Sequence, residues 1–211
     1  MNTPSDNPAE QHYFSESPST ASRRHEFTLS VGDSDFTMVT DSGVFSQHGL
    51  DKGTAVLLDS MQRRSLPDVA PGSTICDLGC GSGAIALALA VLYPECTVLA
   101  VDINERARQL CTENMNRNAL TNVRVLHPDD VSTDTVLELL WSNPPIRIGK
   151  DALHELLRTW LSRLSGSGSA HLVVNKNLGA DSLVDWLRTN NFSAEKLSSR
   201  KGFRVLEVRR T

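Results

Sequence analysis

TICDLGCGSGAIALALAVLY, residues 74 to 93, is the stretch that decides the fold. A short β-rich run, TICDL, is joined to an apolar helical run by a loop in which Gly79, Gly81 and Gly83 alternate with other residues. Glycines remove side chains where a backbone must turn tightly and approach a ligand. The first N–H groups of the helix that follows can face something negative. The stretch therefore predicts a strand, a ligand-binding loop and a helix.

Strands and helices alternate from this stretch to the end of the chain. Further strands are predicted at 97–102, 123–127, 136–143, 169–175 and 203–210. Helices are predicted at 54–64, 104–119, 151–164 and 179–190, in addition to 83–93. Two alternating runs, 27–31 and 36–40, predict an N-terminal β-hairpin. This order indicates an α/β fold with a mostly parallel sheet covered by helices on both faces. Such sheets bind ligands beyond the carboxyl ends of their strands.

Composition and charge indicate one domain with a polar N-terminal tail. The chain has 211 residues, of which 39% are hydrophobic, and we assign residues 26–211 to the domain. Residues 1–25 are rich in Pro and Ser and predict a disordered tail rather than a signal peptide. Residues 1–142 hold 9 Lys+Arg and 19 Asp+Glu, whereas residues 143–211 hold 12 and 6. The basic C-terminal third either contacts phosphate or carries scattered solvated charge.

Neither a metal site nor a membrane span is predicted. The four cysteines, Cys76, Cys80, Cys96 and Cys111, form no C-x-x-C pair, which favours reduced thiols in a cytoplasmic protein. His48, His127, His154 and His171 show no metal-ligand spacing between them. No run approaches 18 consecutive apolar residues.

Acidic residues follow the next two predicted strands. Asp102 stands 19 residues after Gly83, where a carboxylate can accept both hydroxyls of a ribose. Ile103 can cover an adenine, and either Asp129 or Asp130 can accept from the adenine amino group. These features suit a nicotinamide dinucleotide or S-adenosylmethionine. The loop is G-x-G-x-G rather than G-x-G-x-x-G, and the acidic residue ahead of it suits the ammonium group of S-adenosylmethionine.

Asn143-Pro144-Pro145-Ile146 follows the fourth strand of this region and favours the methyl donor. An exocyclic or amide nitrogen is a poor nucleophile because its lone pair is conjugated. It becomes competent when acceptors hold its hydrogens and direct the lone pair toward the methyl group. The Asn143 side-chain oxygen and the Pro144 carbonyl are two such acceptors, and the prolines hold them rigidly. No general base is needed before transfer, because the nitrogen loses its proton after it becomes cationic.

DLGCGSG, Asp102 and NPPI resemble class I S-adenosylmethionine-dependent methyltransferases that act on planar nitrogen. Three longer stretches narrow the resemblance to the small-domain methyltransferases related to the ribosomal RNA small subunit methyltransferase C group. They are DSGVFSQHGLDKGT (41–54), NPPIRIGK (143–150) and KGFRVLEVRR (201–210). The resemblance covers roughly residues 27–210. It implies a Rossmann-like, seven-stranded sheet and methylation of a guanine N2 amine in small-subunit (16S) ribosomal RNA.

The resemblance also implies a role for each site residue. It implies that the glycine loop binds the methionine end of the cofactor, through Asp77, Gly79, Cys80, Gly81 and Gly83. By the same resemblance, Asp102 would bind the ribose, and Ile103 with Asp129 or Asp130 would contact the adenine. The catalytic turn is Asn143, which also borders the cofactor, with Pro144, Pro145 and Ile146. The residues that would contact the substrate are Phe45, Thr54, Arg147 and Lys150. Of these, Arg147 and Lys150 would hold RNA phosphate or the guanine edge.

One departure keeps other substrates open. Many enzymes with this motif carry an aromatic residue after the prolines, which stacks on an extruded base, whereas Ile146 stands here. The alternatives are methylation of a protein glutamine amide, a non-catalytic RNA-binding or assembly factor with the same fold, and a dinucleotide oxidoreductase. The expected partner is ribosomal RNA or the small ribosomal subunit, with no membrane or metal. The oligomeric state is left open.

Overall fold

The computed structural model describes residues 21–44 and 49–211. Within these residues the strands are β1 (Arg24–Val31), β2 (Ser34–Asp41), β3 (Thr74–Leu78), β4 (Thr97–Val101), β5 (Val123–Leu126), β6 (Leu137–Ser142), β7 (Leu164–Asn175), β8 (Phe192–Arg200) and β9 (Phe203–Arg210). The helices are α1 (Lys52–Gln62), α2 (Ala84–Leu92), α3 (Glu105–Arg117), α4 (Lys150–Leu161) and α5 (Ala180–Thr189). Most of the predicted tail lies outside the described residues, and Arg24 and His25 belong to β1.

The main sheet has seven strands in the order β5-β4-β3-β6-β7-β9-β8. The strands from β5 to β7 in this order pair in parallel, and β9 pairs antiparallel with both β7 and β8. β1 and β2 form a separate antiparallel hairpin. The chain runs outward from β3 to β5 and then returns to β6 on the other side of β3. The predicted Rossmann-like fold with an N-terminal hairpin is confirmed, and the strand order reverses at the carboxyl ends of β3 and β6.

Successive side chains of a strand point to opposite faces, so the central strands present an apolar surface on each face of the sheet. A layer of helices covers each of these surfaces. Ile75 and Leu139 face the layer that contains α1, α2 and α3. Cys76 and Leu140 face the layer of α4 and α5. The four cysteines are buried free thiols. This packing holds the central strands still, so the loops at their carboxyl ends start from fixed positions.

The hairpin is fixed to α3 by one buried amide. Asn114 Oδ1 accepts from the N–H of Val39 at 2.8 Å, and its Nδ2 donates to the Val39 carbonyl at 2.8 Å. The same Nδ2 donates to the carbonyl of Ser82 in the glycine loop at 2.8 Å. Asn114 therefore pairs with β2 as a neighbouring strand would and ties the hairpin to the glycine loop.

The structure differs from the sequence predictions at the far edge of the sheet. β8 was not predicted from its residues, because only Phe192 and Ala194 of this edge strand are buried and its register shifts between Lys196 and Ser198. β7 begins at Leu164 rather than 169, since the run SGSGS extends as strand where its composition indicates a loop. Helix α4 ends at Leu161 rather than 164.

Candidate active site

The three glycines of the loop after β3 serve two different purposes. Gly79, Gly81 and Gly83 all have positive φ, at 76°, 54° and 90°, which favours glycine. A Cβ on Gly79 or Gly81 would meet no atom of the described residues within 4 Å, whereas one on Gly83 would lie 2.6 Å from Cys111 Sγ. Gly79 and Gly81 therefore present open backbone, and Gly83 lets α2 pack closely against α3.

Asp77 lies beneath this loop rather than at its surface. The side chain is fully buried, and its Oδ2 accepts from the N–H of Ala86 at 2.9 Å. Its Oδ1 has no hydrogen-bond partner in the part of the chain that the structure describes. Burial, with a smaller contribution from the charge of Asp102, raises the pKa of Asp77 well above its usual range, although the bond from Ala86 opposes this. Asp77 thus holds the first turn of α2 against the end of β3.

Asp102 lies directly beside the glycine loop. Its Oδ2 accepts from the N–H of Gly81, and its Oδ1 accepts from the N–H of Asn104, both at 2.9 Å. Burial raises the pKa of Asp102 even though these two bonds lower it. A carboxylate oxygen that accepts one hydrogen bond keeps further acceptor capacity. Ile103 is 41% exposed, so an apolar surface stands next to this carboxylate.

The two acidic residues after β5 stand in a short 3-10 turn, Pro128–Asp130, and both are exposed. The N–H of Asp129 donates to His127 Nδ1 at 3.2 Å, and the Asp129 carboxylate lies 3.6 Å from the same nitrogen. Among the described residues, neither carboxylate is hydrogen-bonded to the glycine loop or to Asp102. The structure therefore brings Asp102 to the glycine loop but leaves open which of Asp129 and Asp130 serves the adenine.

The turn after β6 is locked by three hydrogen bonds. Ser142 is buried and its Oγ donates to the carbonyl of Leu78 at 2.7 Å, which ties the end of β6 to the end of β3. The carbonyl of Pro144 accepts from the N–H of Ile146 at 2.8 Å across Pro145, whose φ of −75° and ψ of 75° define an inverse γ-turn. The Pro145 carbonyl accepts from Ile148 at 3.1 Å. The Pro144 carbonyl keeps a second lone pair.

The Asn143 amide is held by residues from the start of α1. Its Nδ2 donates to Asp51 Oδ1 at 2.7 Å and to Thr54 Oγ1 at 3.2 Å. Among the described residues, none donates to Asn143 Oδ1. Asp51 also caps α1, because the same Oδ1 accepts from the N–H groups of Gly53 at 2.7 Å and Thr54 at 3.0 Å. The amide nitrogen therefore faces α1, and the amide oxygen is left for another partner.

Gly53 makes this close approach possible. A Cβ there would lie 3.0 Å from Asp51 Oδ1, 3.2 Å from Asn143 Nδ2 and 3.0 Å from a ring carbon of Phe203. Helix α1, the turn after β6 and the start of β9 thus meet at a residue without a side chain. Asp51 and Ser142 are not among the site residues that the sequence predicts. Asp51-Lys52-Gly53-Thr54 carries the local signal of a helix N-cap, but nothing in it identifies the distant partner.

The residues assigned to the substrate are distributed around this turn. Phe45 lies outside the described residues. Thr54 is buried and its hydroxyl faces Asn143. Ile146 is half-buried and packs against the apolar layer that includes α4 and α5. Arg147 and Lys150 are exposed where α4 begins, so two cations flank the entrance to the turn.

Within residues 21–44 and 49–211, no group of three or more His, Cys, Asp or Glu side chains is arranged to hold a metal ion. No helix in the same part of the chain is both long enough and apolar enough to span a bilayer.

The methyltransferase small-domain family matches residues 35–207, which is most of the chain. The chain belongs to this family. An uncharacterised relative, protein YbxB of Bacillus subtilis, is 34% identical over 203 residues, which cover 95% of this chain and 98% of the relative. The predicted class of enzyme, a class I S-adenosylmethionine-dependent methyltransferase, is confirmed, and so is the predicted cofactor.

More distant members of the small-domain family have assigned names. Ribosomal RNA small subunit methyltransferase C of Pseudoalteromonas translucida is 30% identical over 156 residues, covering 72% of this chain but 44% of the relative. The chain therefore spans about half the length of the methyltransferase C relatives that it matches. The structure of the Thermus thermophilus 16S rRNA N2 G1207 methyltransferase, in complex with AdoMet and guanosine, superposes with a TM-score of 0.73 at 23% identity. It covers 92% of this chain and 52% of its own, and it supports the fold.

Proposed function

We propose that this small-domain methyltransferase transfers a methyl group from S-adenosylmethionine to the exocyclic N2 amine of a guanine in small-subunit ribosomal RNA. The observation that carries the proposal is the Asn143 amide, whose nitrogen donates to Asp51 and Thr54 while its oxygen accepts from no described residue. The named relatives support the choice of RNA, because several are ribosomal RNA small subunit methyltransferases. A ribosomal RNA substrate also agrees with the expected cytoplasmic location.

The residues around the glycine loop fit the cofactor. Gly79 and Gly81 leave open backbone at the carboxyl end of β3, where any side chain would narrow the approach. Asp102 offers a carboxylate for the ribose, and the exposed side chain of Ile103 offers an apolar face for the adenine. Asp77 keeps the loop in place through α2. When bound, S-adenosylmethionine supplies an electrophilic methyl group on a sulfonium sulfur.

The acceptors of the catalytic turn prepare the target nitrogen. The amine donates one hydrogen to Asn143 Oδ1 and the other to the Pro144 carbonyl, so its lone pair is directed toward the methyl group. These hydrogen bonds strengthen as the nitrogen becomes cationic during transfer, because the positive charge makes its N–H groups better donors. The inverse γ-turn and the Ser142 hydroxyl keep the acceptors in position before the substrate arrives. The nitrogen then loses one proton to water, and no basic side chain is required.

The entrance to the site suits a polyanion. Arg147 and Lys150 are exposed next to the turn and belong to the basic C-terminal third of the sequence. They would contact phosphates on either side of the target nucleotide. Part of the Ile146 side chain packs against the apolar layer that includes α4 and α5, so we assign Ile146 to the wall of the base pocket.

A methyl-transfer assay with labelled S-adenosylmethionine tests the proposal. The acceptors, offered side by side, are small ribosomal subunits from a strain that lacks this protein, naked ribosomal RNA and total protein. The expected result is label in small-subunit RNA that maps to N2-methylguanine. Label in protein glutamine would contradict it and indicate an amide methyltransferase. Bound cofactor with no label in any acceptor would indicate a binding or assembly factor.

A further inference from the structure

Asp51 connects the catalytic turn to helix α1 through a single carboxylate oxygen. Its Oδ1 accepts from the N–H groups of Gly53 and Thr54 and from Asn143 Nδ2, at 2.7, 3.0 and 2.7 Å. The first two bonds are an ordinary helix N-cap. The third reaches a residue 92 positions further along the chain and contributes nothing to the cap.

We propose that Asp51 is a positioning residue, which fixes the orientation of the Asn143 amide and so selects its oxygen, not its nitrogen, to face the target amine. The inference rests on the proposed function, in which Asn143 Oδ1 accepts a hydrogen from that amine. It extends that function by assigning the second end of the same amide.

An amide side chain needs this selection because its two ends are nearly equal in shape. Rotation by half a turn would point the Asn143 NH2 group at the amine, so that a donor faced a donor. In that orientation Asn143 Oδ1 would lie against Asp51 Oδ1, and two acceptors would repel each other. A carboxylate therefore accepts only one of the two orientations. Thr54 cannot make the same choice, because a hydroxyl both donates and accepts.

The charge of Asp51 has a second effect. A carboxylate that accepts from an amide N–H polarises the amide and increases the negative charge on its oxygen. Asn143 Oδ1 then becomes a stronger acceptor for a nitrogen that is turning cationic. The N-terminus of α1, where the helix dipole is positive, stabilises the carboxylate. Because a Cβ on Gly53 would lie 3.0 Å from Asp51 Oδ1 and 3.2 Å from Asn143 Nδ2, glycine there preserves the contact.

Asp51→Ser separates the cap from the contact with Asn143. Serine caps a helix well, but its side chain is too short to hold Asn143. We expect kcat to fall by ~10- to 100-fold, the loss typical of a hydrogen bond to a charged group. The KM for RNA and the Kd for S-adenosylmethionine should each change by less than ~2-fold. Asp51→Asn should recover part of the activity, because its amide oxygen accepts without the charge.

Asp59→Ser is the matched control. Asp59 lies on the same helix and pairs with Arg63 and Arg200, away from Asn143. Its replacement should leave kcat unchanged. In an Asn143→Ala background, Asp51→Ser should lower the residual rate by less than ~2-fold further, since the two residues act through one contact. A wild-type kcat for Asp51→Ser, or an equal loss in both backgrounds, would overturn the inference.

A second measurement needs no methylation substrate. In nitrogen-15 NMR spectra, the side-chain amide of Asn143 is identified by its absence from the Asn143→Ala variant. We expect its protons to exchange with solvent at least ~10-fold faster in Asp51→Ser than in the wild type, because the amide then keeps only its longer hydrogen bond, to Thr54. Unchanged exchange would overturn the inference. A wild-type enzyme that fails to label small-subunit RNA would instead overturn the proposed function, so the two failures are distinguishable.

Discussion

Asn143 is the residue on which the proposed chemistry depends most directly, because its side-chain oxygen is one of only two acceptors assigned to the target amine. We expect Asn143→Ala to lower kcat by ~10²- to 10³-fold, the usual effect of removing one preorganised transition-state hydrogen bond. The Kd for S-adenosylmethionine should stay within ~2-fold of the wild-type value, since Gly79, Gly81 and Asp102 are unchanged. Single-turnover kinetics and calorimetric titration measure the two quantities. Equal loss of cofactor affinity and rate would contradict the assignment.

Asp102 should show the opposite behaviour. Its carboxylate accepts from the N–H groups of Gly81 and Asn104 and is the group we assign to the ribose. Asp102→Ala should weaken S-adenosylmethionine by at least ~10-fold, because it removes ribose acceptors and loosens the glycine loop. Titration of the variant with cofactor measures the effect. An unchanged Kd would remove Asp102 from the cofactor site.

At the scale of elements, Gly83 controls the packing of α2 against α3. An alanine there would take a positive φ, which costs ~1–2 kcal/mol, and would crowd Cys111, which costs ~1–3 kcal/mol. We therefore expect Gly83→Ala to reduce the free energy of unfolding by ~2–5 kcal/mol, measured by urea denaturation. Adding Cys111→Ala should recover the part that comes from crowding. No recovery would show that the contact with Cys111 Sγ does not account for the loss.

Gly79 provides the matched comparison for Gly83. Its Cβ position is open, so Gly79→Ala should cost only the ~1–2 kcal/mol of backbone strain. The same methyl group would stand where we propose that the cofactor approaches the loop. We expect the Kd for S-adenosylmethionine to rise by at least ~10-fold, a loss of more than ~1.4 kcal/mol. The larger loss of stability is thus expected at Gly83, and the loss of cofactor affinity at Gly79. A Gly79→Ala enzyme with normal affinity for S-adenosylmethionine would contradict this prediction.

The sequence predicted those elements whose apolar residues repeat regularly, and it predicted that Asp102 and Asn143 follow the ends of strands. Asp102 and Asn143 could be placed because a parallel sheet brings the carboxyl ends of its strands together. β8 could not be predicted, since an edge strand with two buried side chains leaves almost no periodic signal. The pairing of Asp51 with Asn143 could not be predicted either, because it depends on the packing of α1 over the finished sheet.

At the scale of the whole molecule, one buried histidine makes stability depend on pH. His171 lies on β7, and burial lowers its pKa to about 4. An unfolded histidine binds a proton below about pH 6.5. The contribution of His171 to stability is therefore complete above pH 6.5 and falls as the pH drops toward 4, because in that window His171 gains a proton only in the unfolded chain. The loss amounts to roughly 3 kcal/mol.

His171→Leu should remove this acid sensitivity. Urea denaturation of both proteins at several values between pH 7 and pH 4 measures it. We expect the wild type to lose roughly 3 kcal/mol more than the variant across this range. Glu207, which lies 3.6 Å from His171 Nε2, favours the charged ring, but burial outweighs this effect on the pKa. Parallel curves for the two proteins would show that folding does not change the pKa of His171.

The bond between Asp51 and Asn143 joins residues 92 positions apart, and this separation has a consequence for how the enzyme matures. Contacts so distant in sequence form late, because a long loop must close before they contribute anything. A partly folded chain can hold its glycine loop, which is local, before its catalytic amide is oriented. During refolding, recovery of cofactor binding should therefore precede recovery of turnover. The delay between the two measures how long α1 takes to dock onto the sheet.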